Sequence, residues 1–91
     1  MVRYSKHSLS RLEDIFKALN IQVRYEKGNF QSGYCLVAGK NMVIVNKFFD
    51  TEARMNTLLE ILEDQRPDLS VLPADELEWL VRVRKSALKE A

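Results

Sequence analysis

Apolar residues recur with two different periods along this chain, and the switches between them mark out its elements. Leu9, Leu12, Ile15, Phe16 and Leu19 fall at helical spacing, which predicts a first helix over about 8–19. Ser10 and Glu13 stand at capping-box spacing near its start. Asn20 suits its end, because asparagine tolerates the left-handed conformation. From Ile21 the period drops to two: Ile21, Val23 and Tyr25 alternate with Gln22, Arg24 and Glu26, as in a half-buried strand. Lys27-Gly28-Asn29 then supplies turn chemistry. Residues 31–38 and 42–46 form two further strand-like runs around Gly39-Lys40, where a leading glycine suits a type II′ hairpin loop. Such a loop pairs Val37 with Met42, Leu36 with Val43, Cys35 with Ile44 and Tyr34 with Val45. Met42-Val43-Ile44-Val45 is apolar on both sides, which predicts the central, most covered strand. Gly33 is a strand glycine of the kind that marks a bulge or a close backbone approach.

The helical period then returns. Asp50 or Thr51 caps a second helix, and Glu52 in its first turn suits the helix dipole. Met55, Leu58, Leu59 and Leu62 share one face of it with Ile61 beside them, and Pro67 stops it at Gln65 or Arg66. After a connector over 68–72, Pro73 opens a third helix. Leu77, Leu80, Val81, Arg84 and Leu88 trace one of its faces, and Trp79 and Val83 widen the apolar arc. The expected architecture is α+β: a three-stranded antiparallel sheet with three helices, in the order α-β-β-β-α-α. Leu58, Leu59, Leu62, Val43 and Val45 are its expected core.

Composition narrows the class. A chain of 91 residues, 46% hydrophobic and 30% charged, reads as one globular domain over 1–91. A net charge of +1 gives no overall field to draw it to nucleic acid or an anionic membrane. The single cysteine, Cys35, forms no internal disulfide, which suits a reducing cytosol. The start of the sequence has no apolar core of signal-peptide length, and no run nears the ~18 apolar residues of a membrane span. A cytoplasmic protein with no membrane contact is the expectation.

Candidate chemistry is sparse. Glu60 and Asp64, four apart on the second helix with Glu63 nearby, present carboxylates suited to a hard cation such as Mg²⁺. A solvated acidic face is the commoner origin of such a cluster. His7 is the only histidine, too few for zinc sites that need two or three imidazole or thiolate ligands, and a poor base near the N-terminus. Cys35, mid-strand between Tyr34 and Leu36, reads as a small packed hydrophobe. Neither Gly-containing turn has the spacing of a phosphate loop. Arg82, Arg84, Lys85 and Lys89 cluster on the last helix, with Arg3, Lys6 and Arg11 in the first segment, but Glu76, Glu78 and Glu90 interrupt the patch. The apolar arc of the third helix is wider than one sheet contact needs, so Trp79 and Val83 are candidates for an interface unless Val2 and Tyr4 fold over them.

The run Gly33-Tyr34-Cys35 through Met42-Val43-Ile44-Val45-Asn46, followed by Arg54 and Thr57-Leu58, resembles the N-terminal part of the ImmA/IrrE-like metallopeptidase family. There a G-x-Y…I-x-I-N hairpin leads into a zincin helix reading close to R-x-x-T-L-A-H-E-L-x-H. The resemblance covers roughly residues 20–65. It sets Glu60 at the first zinc-ligand histidine, Ile61 at the general-base glutamate and Asp64 at the second histidine. It therefore implies a shortened bacterial relative that has lost the zinc site and the peptidase chemistry: a pseudoenzyme, since isoleucine takes no proton from water. The expected function is a non-enzymatic protein-interaction or scaffold module without cofactor, binding a peptide at a sheet edge, a protein partner or a second copy of itself. The alternatives are a metal-dependent enzyme using Glu60 and Asp64, and a weak nucleic-acid binder using the C-terminal helix.

Overall fold

The protein is described here by a computed structural model covering residues 4–28 and 32–90, the side chains of 86–90 excepted. Its elements are α1 (Lys6–Ala18), β1 (Gln22–Glu26), β2 (Gly33–Val37), β3 (Lys40–Asn46), α2 (Thr51–Gln65), a 3-10 turn over Leu69–Val71, and α3 (Ala74–Glu90). The α+β class and the order of helices and strands are those expected. The sense of the sheet is not.

The strand order is β1-β3-β2, with β2 antiparallel and β1 parallel to β3, so the sheet is mixed where an antiparallel one was expected. The reason lies in β3. Its two-sided apolar run takes the middle of the sheet, so β1 pairs with β3 instead of with β2, its neighbour in sequence. The chain reverses between β1 and β2 and again at the hairpin, so β1 and β3 run the same way. The β1–β2 connection has to pass the end of β3, and Asn46 ties both of its ends there. The Asn46 side-chain amide donates to the Gly28 carbonyl at 3.1 Å, and its backbone N–H donates to the Ser32 hydroxyl at 2.9 Å. Asn29 of the expected Lys27-Gly28-Asn29 turn lies outside the described residues.

The hairpin register also differs from expectation. Val37 pairs with Lys40, Leu36 with Asn41, Cys35 with Met42 and Tyr34 with Val43, placing Ala38-Gly39 in the loop. Ala38 at φ 51° and Gly39 at φ 78° supply the two positive φ values of a type I′ turn, whose twist matches that of the strands. The pairing is displaced by two residues from a Gly39-Lys40 loop, so every side chain keeps its face. Gly33 is an ordinary ladder residue, and a Cβ placed on it would have open space around it. Ala38 carries the strain of a left-handed alanine. Ala38→Asn, which gives the preferred Asn-Gly loop, is expected to stabilise the fold by about 1 kcal/mol and raise its thermal midpoint by about 4–8 °C, read by a calorimetric melt.

α1 begins earlier than the apolar stripe suggests. Ser5, not Ser10, is its N-cap, accepting from the Ser8 N–H at 3.1 Å. Its C-terminus closes as a Schellman motif: Ile21 N–H donates to the Phe16 carbonyl at 2.9 Å, Asn20 N–H donates to that of Lys17 at 3.0 Å, and Asn20 takes φ 63°. α2 is capped by Asp50, which accepts from Ala53 N–H at 2.8 Å, and ends in left-handed Arg66 just before Pro67.

α1 and α2 both pack on the sheet face that carries Val23, Tyr25, Tyr34, Val43 and Val45. Gln22, Arg24, Cys35, Met42 and Ile44 alternate onto the other face. Leu58, Leu59, Leu62, Val43 and Val45 are all buried, in one cluster with Leu12, Ile15, Phe16, Met55 and Leu80. α3 joins this core through Leu80 and is tied to its neighbours by charge. Arg11 of α1 bonds Glu76 at 3.1 Å and lies over the Trp79 ring, 4.6 Å from its centre, while Arg84 pairs with Glu63 of α2. No helix among the described residues is long and apolar enough to cross a membrane.

Candidate functional site

The residues singled out from the sequence do not converge. Glu60 and Asp64 both face solvent on α2, and Ile61 between them is buried in the core. Among the described residues no group of three or more His, Cys, Asp or Glu side chains is placed to hold a metal ion. Trp79 and Val83 are half-buried against the core, and Trp79 is covered by Arg11; among the described side chains of α3, the large apolar one that is exposed is Val81. Val2 lies outside the described residues. Tyr4 packs on the core and donates its hydroxyl to Asn56 at 3.1 Å. Of the basic cluster, Arg11 and Arg84 are held in ion pairs, Arg82 and Lys85 are exposed, and the side chains of Arg3 and Lys89 are outside the described residues. His7 is exposed and Cys35 half-buried.

The structure instead opens a groove beside β1. It has a volume of about 870 Å³. One wall is the polar side of α1, with Glu13, Asp14 and Lys17; the floor is β1, with Gln22, Val23 and Tyr25; the hairpin closes one end with Gly39, Lys40 and Asn41. The short turn from α1 into β1, held by the Schellman bonds, brings wall and floor together. Carboxylates of Glu13 and Asp14 and ammonium groups of Lys17 and Lys40 give the groove both signs of charge.

Its base is fixed by Tyr25. The Tyr25 hydroxyl donates to the Glu13 carboxylate, and the Arg54 guanidinium lies over the ring at 4.5 Å. Arg54 also donates to the carbonyls of Phe49 at 2.9 Å and Lys47 at 2.8 Å, which ties the β3–α2 loop to the edge strand. Burial, the bond to Glu13 and the Glu13 charge, in that order, push the Tyr25 hydroxyl well above the ordinary phenol value, against the pull of Arg54. The proton is held more tightly folded than unfolded. This share of stability is therefore full below the unfolded value of about 10 and is drawn down as pH rises beyond it. Tyr25→Phe is expected to cost about 1 kcal/mol near neutrality and to shrink the loss of stability as pH rises from about 10 to 12, measured by urea titration at each pH.

β1 is an edge strand of the sheet, and two of its residues, Val23 and Tyr25, line this groove. Lys47 N–H donates to the Glu26 carbonyl at 2.9 Å, so Glu26 and, by alternation, Arg24 and Gln22 turn their backbone groups toward β3. Val23 and Tyr25 turn theirs outward. Sequence analysis missed this site, although the i, i+4 pair Glu13/Lys17 on the polar side of α1 and the short link to an alternating strand were its signals. Compared with protein-family models, curated proteins and solved structures, the chain matches none.

Proposed function

We propose that this protein is a non-enzymatic interaction module that takes an extended peptide as an added strand along β1. The observation that supports this most is that Val23 and Tyr25, whose backbone groups turn away from β3, also line the groove that α1 walls. Main-chain bonds to an edge supply affinity, and a groove beside it reads alternate side chains. Val23 and Tyr25 offer apolar contact, and Lys17, Lys40 and Asp14 offer charge of either sign. The peptide that fits alternates apolar residues with charged ones. Under the resemblance to ImmA/IrrE-like peptidases, this is a relative that kept an edge for peptide after losing the residues for hydrolysis.

The test is a peptide selected by display against the intact protein, then resynthesised with N-methyl groups at alternate residues. Methylation in one phase removes the donors aimed at β1 and is expected to weaken binding tenfold or more; methylation in the other phase leaves it nearly unchanged. Equal sensitivity in both phases, or no selectable peptide, would overturn the reading.

A further inference from the structure

The opposite edge of the sheet carries a different message, independent of the groove. Native edge strands are protected by charge, proline, bulges or cover. β1 carries charge, with Arg24 and Glu26 paired at 2.6 Å on the sheet face away from α1, which leaves its groove side open to a peptide but disfavours a flat sheet-to-sheet contact. β2, Gly33-Tyr34-Cys35-Leu36-Val37, has no charged residue and no proline, its ladder with β3 is unbroken, and it too is an edge strand. It also exposes two large apolar side chains, Leu36 at 66% and Val37 at 47%.

The direction of its backbone groups follows from the hairpin. In a two-residue hairpin the pair flanking the loop is hydrogen-bonded, here Val37 with Lys40, and alternation makes Cys35–Met42 and Gly33–Ile44 hydrogen-bonded too. Tyr34 and Leu36 therefore aim their N–H and C=O groups at the free edge. We infer that β2 pairs antiparallel with β2 of a second copy of this chain, about a two-fold axis through Cys35, joining two sheets into one.

The strand is self-complementary about that point. Tyr34 falls opposite Leu36 of the other copy on the helix-bearing face, so the exposed leucine covers an aromatic ring and the outward backbone groups of the two residues satisfy each other. Gly33 falls opposite Val37 on the other face, where the space above the glycine takes the exposed valine. Cys35 meets Cys35 in a non-hydrogen-bonded pair, whose Cα separation of about 4.5 Å is within disulfide range. An isologous contact of this kind closes at two copies.

Sedimentation of the reduced full chain at micromolar concentration, together with oxidation by copper–phenanthroline, tests this. Expected are a dimer in solution and rapid cross-linking, each Cys35 thiol losing a proton and one electron to the added oxidant. Moving the thiol by one position, with Leu36→Cys in a Cys35→Ser background, is expected to abolish cross-linking while the dimer persists, because diagonal positions are too far apart. Leu36→Lys is expected to weaken the dimer tenfold or more while leaving the circular dichroism of a folded monomer, since that side chain is already exposed. A clean monomer, an open-ended series of larger species, or a dimer unchanged by Leu36→Lys and not cross-linked at Cys35 would overturn the inference.

Discussion

Phe16→Ala is expected to lower the stability of the fold by about 3–5 kcal/mol, the range for truncating a buried phenylalanine. Phe16 is 0% exposed, among the largest of the fully buried side chains, and its carbonyl accepts the Ile21 N–H that closes the C-terminus of α1. Ile21 is buried in the same cluster, the apolar contact that accompanies a Schellman closure. Removing the ring opens a cavity beside the link that carries α1 into β1, so core and groove are disturbed together. A domain of this size holds about 5–15 kcal/mol in all. The urea midpoint should fall steeply with little change in slope. A loss under about 1 kcal/mol would mean that α1 is not docked on the sheet.

Leu62→Ala is expected to cost about 2–5 kcal/mol, again as lost burial plus cavity. Leu62 is 2% exposed on α2. The adjacent Glu63 supplies an internal control: it is exposed, and its pair with Arg84 is a surface ion pair. Glu63→Ala should therefore cost only about 0–1 kcal/mol. Parallel thermal melts of the two variants read the orientation of α2 directly, and equal losses would show that the helix is rotated from the placement described.

Much of this fold was legible in the residues themselves. Asp50 before an apolar 3.6-residue period and Pro67 after it bounded α2 closely, and Asn20 marked the left-handed exit from α1. Two errors have local causes. Ser10 and Glu13 match a capping box, but Ser5 lies where the chain enters the helix, and Glu13 bonds Tyr25 instead. A leading glycine at Gly39-Lys40 suits a type II′ loop, but the glycine takes the second loop position, with Ala38 at positive φ in the first.

The sense of the sheet was legible but not followed through. An apolar run at 42–45 that demands the centre of a three-stranded sheet makes β1 a neighbour of β3, and two chain reversals then make that pair parallel. The groove was harder to see, because no motif links residues 13–17 to 22–25. Proximity comes from the tightness of the α1–β1 turn, which the helix-ending bonds of Asn20 and Ile21 determine.

The central claim is that an extended peptide adds to β1 through the outward backbone groups of Val23 and Tyr25. Amide hydrogen exchange, resolved residue by residue by NMR with and without a saturating selected peptide, tests it most directly. In the free protein the Val23 and Tyr25 amides should exchange quickly, while those of Arg24 and Glu26, turned toward β3, are already slow. Peptide should slow Val23 and Tyr25 selectively. Binding that leaves those two amides as fast as before would contradict the account.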